Sequence, residues 1–266
     1  MRILARSYML AVLAGAPLAC VLSPDWPPPA AWLVLLAGLS LLFATAAIVL
    51  ALRWLNPPTT AFMLRQQAAP HTKVAHVWVS EAGLAPELRL AAIVAEDTYF
   101  AFHSGFDWDS LRAAREYNKT AARKRGGSTI SQQVAKNLFL WGRQSYLRKG
   151  IEAYLTLLIE AAWPKGRILE VYLNIAQFGP RTFGAEAAAR QFFAKAAHDL
   201  TRQEAALLVA VLPDPHHLQV ERPSHQLRLR QALVLDRMKH VGLAHLELLD
   251  APRGLARRRR TGRPVA

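Results

Sequence analysis

Hydrophobic and polar positions divide the chain into an uncharged N-terminal run and a body whose apolar residues recur at helical spacing. From Ala30 to Leu52 the sequence AAWLVLLAGLSLLFATAAIVLAL carries no charge. At about 1.5 Å per residue it is long enough for a hydrocarbon core of roughly 30 Å. The pattern predicts a membrane-spanning helix, followed by Arg53 and Trp54 as interfacial anchors and stopped by Asn56-Pro57-Pro58. The earlier apolar stretch from Tyr8 to Leu22 is shorter, is interrupted by Gly15 and Pro17, and follows Arg2 and Arg6. It fits a signal-like segment, the first span of a hairpin, or upstream sequence equally well. One span puts the body across the membrane from the N-terminus and two return it to the same side. Arg2 and Arg6 on one side balance Arg53 and Arg65 on the other.

Beyond residue 80 the period is helical. PELRLAAIVAED (86 to 97) opens with proline in a first-turn position and runs apolar to Glu96. In SYLRKGIEAYLTLLIEAAW, apolar residues repeat through Tyr146, Leu147, Ile151, Leu155, Leu158 and Ile159 and stop before Pro164. Thr201 and Glu204 have capping-box spacing ahead of AALLVAVL, and the segment from Ser224 to Gly242 carries cap signals at both ends. Neither β–α alternation nor an internal repeat occurs. The expected fold class is therefore mainly α, with a membrane anchor over 1–55, a linker over 56–80 containing a β-like HVWV at 76 to 79, a helical domain over 81–245, and a basic tail over 246–266.

Composition narrows the partners. The chain of 266 residues is 52% hydrophobic, enough to bury a core, and its single cysteine excludes a disulfide framework or a cysteine-rich metal site. With 33 Lys+Arg against 19 Asp+Glu, the net charge of +14 points to an anionic partner. Arg253, Arg257, Arg258, Arg259, Arg260 and Arg263 lie in the tail; removing these six from +14 leaves +8, so the body is basic as well. The nine histidines form no pair at metal-ligand spacing, and His103 reads as a packed or hydrogen-bonded residue rather than a ligand.

Three stretches carry chemistry. Glu96 ends the apolar LAAIVAE, where loss of hydration disfavours the charged carboxylate and raises its pKa toward the range useful for proton transfer. Glu152 shares a helix face with Arg148 at i−4 and Lys149 at i−3, either as a surface ion-pair cluster or as cations that hold a phosphate beside an ionised acid. Between them lies RGGSTISQQVAKN (125 to 137). Thr129 and Gln132 have capping-box spacing, which starts a helix there and offers its N–H groups to an anion. Ile130, Val134 and Leu138 form the buried stripe, while Gln132, Gln133, Lys136 and Asn137 face elsewhere. No acid occurs between Lys119 and Glu152, and the spacing is not that of a P-loop.

Taken together, EDTYFAFHSGFDW (96 to 108), RGGSTISQQVAKNLFL (125 to 140), RKGIE (148 to 152), KGRILEVYLN (165 to 174) and FGAEAAARQFFAK (183 to 195) resemble, in order and spacing, the peptidoglycan glycosyltransferases of family 51. NPPTTAFMLRQ (56 to 66) after a membrane span is similar to the monofunctional biosynthetic kind, and the resemblance covers about residues 50 to 220. It implies a lysozyme-like helical domain in the periplasm, carried by a single-pass anchor in the bacterial inner membrane. The implied reaction polymerises lipid II with inversion: the 4-hydroxyl of an incoming GlcNAc attacks the anomeric carbon of the growing glycan chain and releases undecaprenyl pyrophosphate.

By the same resemblance Glu96 is the general base, and Glu152 assists at the leaving pyrophosphate, directly or through a divalent cation (Mg or Mn), no other cofactor being required. Ser128, Gln132, Gln133, Lys136, Asn137, Arg148 and Lys149 match substrate-binding positions, and Thr129 joins that expected set. Other cell-wall synthesis proteins are the protein partners it suggests. Thr182 stands where many members have glycine, so Arg181 receives no role. A lytic lysozyme-like enzyme would not need the Lys136, Arg148 and Lys149 cations. The absence of Ser-x-x-Lys argues against an added transpeptidase domain. A nucleic-acid-binding module is disfavoured because the body's cations lie among carboxylates at motif spacing, so no nucleic-acid partner is expected.

Overall fold

The computed structural model describes residues 29–68, 73–121, 126–141 and 145–250. The apolar stretch 8–22, Arg125 and the arginine tail lie outside the described residues. The chain divides into two compact units, Met1–Ile48 and Val49–Ala266. Helix α1 (Pro29–Ala51) supplies the described part of the first unit and runs three residues into the second. Its segment Trp32–Ala51 has a mean hydropathy of 2.6 and is long and apolar enough to cross a membrane. Leu33, Val34, Leu41 and Phe43 are all exposed on it. A helix apolar on every side and unburied by its own chain is stable only in apolar surroundings.

The second unit is mainly α, as the helical periodicity predicts. It comprises α2 (Ala61–Gln67), β1 (Ala75–His76), α3 (Pro86–Glu96), α4 (Trp108–Thr120), α5 (Ile130–Phe139), α6 (Tyr146–Ala162), α7 (Lys165–Ile175), β2 (Thr182–Phe183), α8 (Ala185–Phe193), α9 (Arg202–Ala210) and α10 (His225–Val241), with a final 3-10 turn over Leu243–Leu249. The capping boxes at Thr129/Gln132 and Thr201/Glu204 both form, and Ser224 caps α10.

Helix α3 is the hub. Leu88, Leu90, Ala91, Ala92, Ile93 and Val94 are all fully buried, and α9, α10 and the final 3-10 turn pack around them. Burying a helix on every face requires an apolar sequence throughout, which is why its only polar groups sit at its ends. Helices α5, α6 and α7 form a second layer. Its buried polar centre is Glu160, which accepts from Ser131 Oγ at 2.5 Å and from Lys165 Nζ at 2.7 Å. Lys165 also lies over the Phe100 ring at 4.3 Å. This pair joins α5, α6 and the start of α7, and removing one partner alone would leave a buried charge uncompensated.

Two expected boundaries move. Residues 56–80 are not a free linker: Thr60 caps α2, Met63 is buried in the core, and β1 pairs in parallel with β2, Ala75 opposite Thr182 and His76 opposite Phe183. The body also continues past residue 245, because Leu246 and Leu249 are buried. Tyr146 and Leu147, assigned by period to the apolar face of α6, are instead exposed in its first turn, at 99% and 73%. Periodicity identifies a face but does not show where along a helix its packing partner begins.

The last turn of α1 belongs to the folded domain. Arg167 on α7 donates to the carbonyls of Leu52 and Leu55 and to Asn56 Oδ1, pairs with Glu170, and lies over Trp78. Trp163 Nε1 donates to Val49 O at 2.7 Å, and Arg53 donates to Ala162 O at 2.8 Å. Helix C-terminal carbonyls have no partners within the helix, and cationic donors satisfy them best.

Around β2 the backbone is tight. Gly184 has φ +82°, and a Cβ there would lie 2.6 Å from Asn174 O, the same oxygen that His76 Nε2 contacts at 3.0 Å. Gly184→Ala should therefore cost about 1–3 kcal/mol from the left-handed backbone alone, with the clash adding to it. A lowered Tm of the detergent-solubilised protein would show this, and an unchanged Tm would contradict the assigned close approach.

Candidate active site

Helix α3 is apolar from Leu90 to Ala95, so its C-terminal end delivers two adjacent carboxylates to the edge of the core. Asp97 is the C-cap and is buried; its carboxylate lies 2.9 and 3.0 Å from His103 Nε2 and accepts from Ile130 N at 3.0 Å. The tautomer of His103 follows from its other nitrogen: Nδ1 accepts from Gly105 N at 3.1 Å, so Nε2 carries the proton and donates to Asp97. One carboxylate therefore joins the end of α3, the loop through Gly105 and the first N–H of α5.

Glu96 is half-buried and free to face the cleft, with Gln133 Nε2 donating to its Oε2 at 2.7 Å. Burial pushes its pKa above the ordinary carboxylate value. The Gln133 hydrogen bond and the charge of Lys136 pull it back, and Asp97 adds to the upward push. This is the environment expected from LAAIVAE, and it suits a group that must take up a proton near neutral pH.

The start of α5 departs from expectation. Thr129 N donates to Gln132 Oε1 at 3.0 Å, Gln132 N donates to Thr129 Oγ1 at 3.3 Å, and Ile130 N is held by Asp97. Thr129 Oγ1 itself donates to Gly105 O at 2.7 Å. These N–H groups are therefore not available to an anion. Thr129 and Gln132, expected to bind substrate, are buried at 2% and 3% and occupied by the capping box. Capping-box spacing and ligand binding compete for the same atoms, and here the cap takes them.

The remaining wall residues stay at the surface of the cleft. Ser128 is exposed and borders a cavity of about 280 Å³ with Glu96, Thr98 and Arg237. Gln133, Lys136 and Asn137 border another of about 340 Å³ with Tyr172 and His216. Burial lowers the Lys136 pKa; Glu152, the largest opposing influence, and Glu96 both raise it, while Arg148 and Lys149 lower it. Lys136 is thus within electrostatic reach of both carboxylates.

Glu152 on α6 is buried at 2%, accepts from Arg148 at 3.0 Å, and is paired with Lys149. The i−4 and i−3 spacing does place both cations on its carboxylate. The burial of Glu152 separates this cluster from an ordinary surface ion pair, and one carboxylate with two cations leaves the cluster net positive.

Glu96 and the Arg148/Lys149/Glu152 cluster are therefore linked electrostatically through Lys136 on α5, as in an enzyme that moves a proton at one end and holds an anion at the other. The family described as Transglycosylase matches residues 64–239. The chain belongs to the transglycosylase family. It is 49% identical over 222 residues to the biosynthetic peptidoglycan transglycosylase of Shewanella oneidensis, covering 82% of this chain and 95% of that one. It is 48% identical over 207 residues to that of Aeromonas hydrophila (77% and 88%) and 48% over 203 residues to that of Rhodospirillum centenum (76% and 87%). The lysozyme-like helical domain implied by transglycosylase membership corresponds to the second unit.

Sequence reasoning missed two contributors to this transglycosylase site. Asp97 is one, although its place directly after the apolar run Leu90–Ala95 and Glu96 marks an acid at the edge of the core in need of partners. Tyr172, inside KGRILEVYLN, is fully buried, and its OH contacts Gln133 Oε1 at 3.5 Å; no local pattern signals this.

The reassignment of Thr129 can be tested. Thr129→Val should lower stability by about 0.5–2 kcal/mol through loss of the cap and leave the substrate KM nearly unchanged at permissive temperature. A raised KM with an unchanged Tm would return Thr129 to the binding set.

Proposed function

We propose that this chain polymerises lipid II into peptidoglycan glycan strands, with Glu96 as general base and the Lys136, Arg148 and Lys149 cations around Glu152 receiving the departing pyrophosphate. The observation that carries the reading is the pairing of a desolvated, half-buried carboxylate with a separate carboxylate flanked by two cations, both within electrostatic reach of Lys136. Glu96 Oε takes the proton from the 4-hydroxyl of the incoming GlcNAc as that oxygen forms the new bond to the anomeric carbon of the growing chain. The bond from the anomeric carbon to the pyrophosphate breaks with inversion, because nucleophile and leaving group lie on opposite faces. Negative charge grows on the leaving oxygen, and cations fixed in advance stabilise it by several kcal/mol on the scale of similar electrostatic contributions.

Glu152 acts by holding Arg148 and Lys149 in place. Both of its oxygens carry a cation, and among the described residues no group of three His, Cys, Asp or Glu side chains could hold a metal ion. These residues do not fit a protein-held divalent cation at Glu152, and no step is routed through one. The membrane anchor α1 keeps the enzyme where a polyprenyl-linked substrate resides, and the reading places the domain on the periplasmic face of the inner membrane, beside other cell-wall synthesis proteins.

Purified protein in detergent should convert lipid II to glycan polymer, and Glu96→Gln should reduce this to background with an unchanged Tm. Wild-type rates in that variant would remove Glu96 from the mechanism, and release of sugar fragments from finished glycan would indicate a lytic enzyme instead. Because the Glu96 pKa is raised, the rate should fall as pH drops through a value above the ordinary glutamate range, read from kcat/KM against pH. A C-terminal reporter active only in the periplasm should be active, and a silent reporter with a working cytoplasmic counterpart would overturn the orientation.

A further inference from the structure

Tyr172 is the one large polar side chain of α7 that is fully buried while reaching the site, and the reaction as described leaves it without a task. It lies on a helix whose buried residues include Ile168, Leu169, Val171, Leu173 and Ile175, so its ring is held by packing, and its hydroxyl is directed at the cleft edge where Gln133 sits. A buried phenol hydroxyl needs a partner. Here that partner is Gln133 Oε1 at 3.5 Å, a long contact, while the other end of the same amide donates to Glu96 Oε2 at 2.7 Å.

A glutamine amide can be turned end for end at little cost unless its neighbours distinguish oxygen from nitrogen. Glu96, when ionised, distinguishes one end, because it accepts only from Nε2. Tyr172 distinguishes the other: the Nε2 of a turned amide could donate to the phenol oxygen, but the buried O–H would then lose Gln133 Oε1, the acceptor it has among the described residues. When Glu96 has taken up its proton, the first distinction weakens, since a carboxylic acid can donate to Oε1 of a turned amide. The tyrosine is then the group that still favours the working orientation. Burial, with Glu96 and Asp97 adding to it, pushes the Tyr172 pKa well above its ordinary value, so the hydroxyl keeps its proton and remains a donor throughout.

We propose that Tyr172 is a positioning residue for catalysis: by donating to Gln133 Oε1 it holds the Gln133 amide with Nε2 on Glu96, and so sets the pH at which the base is ionised. This rests on Glu96 being the base, as proposed above. Tyr172 touches neither substrate nor reacting atoms in this account. Its influence passes through one amide, and that sets the direction of every outcome. A hydrogen bond to an ionised carboxylate lowers its pKa; weakening it raises the pKa, and a larger share of Glu96 is then protonated and inactive at a given acidic pH.

The test is lipid II polymerisation by the full-length protein in detergent, followed as kcat/KM against pH. Tyr172→Phe keeps the ring and removes the hydroxyl. It should move the acid limb to higher pH, with a several-fold loss of rate below the limb, while the rate above the limb and the KM stay within about twofold. Gln133→Leu should move the limb further in the same direction, and adding Tyr172→Phe to it should move it no more. Should the phenylalanine variant melt early, 3-fluorotyrosine at position 172 keeps the shape and makes a stronger donor, so the limb should then move to lower pH. Superposable profiles for wild type and Tyr172→Phe, or an undiminished Tyr172→Phe effect in the Gln133→Leu background, would overturn the proposal. A wild-type protein that makes no polymer, or Glu96→Gln with full activity, would fail the underlying assignment instead.

Discussion

The buried carboxylate of Asp97 is the contact on which the site depends. It occupies the point where the C-terminal end of α3 meets the N-terminal end of α5, and it holds a backbone N–H of one helix and the ring of His103 at once. A helix C-terminus carries partial negative charge and a helix N-terminus partial positive charge, so an acid between them is favoured by the second and disfavoured by the first. The N–H of Ile130 and the Nε2–H of His103 decide the balance by direct hydrogen bonds. Without that junction Glu96 would still end α3, but nothing would bring it to Gln133, one turn into α5.

From that junction the cleft is organised as a separation of charge. The acid at one end is poorly solvated and receives a single neutral donor; the acid at the other is buried under two cations. Lys136 lies between and feels both. Like charges would ordinarily drive Lys136, Arg148 and Lys149 apart, and the two carboxylates are what keep three cations close while leaving net positive charge, as an anionic ligand would require. The absence of any acid from Thr120 to Ile151 fits the same logic, since a further carboxylate on the α5 wall would repel the ligand and raise the pKa of Glu96.

Much of this was legible in the sequence, and the limits have physical causes. Helix positions, both capping boxes and the desolvation of Glu96 follow from local pattern, because each depends on residues within a few positions of one another. That the cap would leave the helix start closed to an anion did not, since a hydroxyl or amide there can serve the backbone or a ligand, and only the closeness of Gly105 O to Thr129 and of Asp97 to Ile130 N decides. The reading of residues 56–80 as a linker failed for a related reason. The segment is too short and mixed to show a period, yet α2 packs against α5, and the two-residue β1 finds its partner more than a hundred residues away in β2. Tyr172 was hidden in the same manner: within α7 it is one more buried residue, and only the crossing of α7 behind α5 turns its hydroxyl into part of the site.

The junction between anchor and domain follows the same principle at the other edge of the fold. A membrane helix must satisfy its last carbonyls as it leaves the bilayer, and interfacial water would suffice. Instead Arg167 takes the carbonyls of Leu52 and Leu55, and the Trp163 indole takes that of Val49. Both come from the α6–α7 corner, whose preceding helix carries Glu152 and whose following helix carries Tyr172. The helix that presents Glu152 with its two cations and the helix behind Glu96 and Gln133 are therefore fastened to the chain at the point where it leaves the apolar segment.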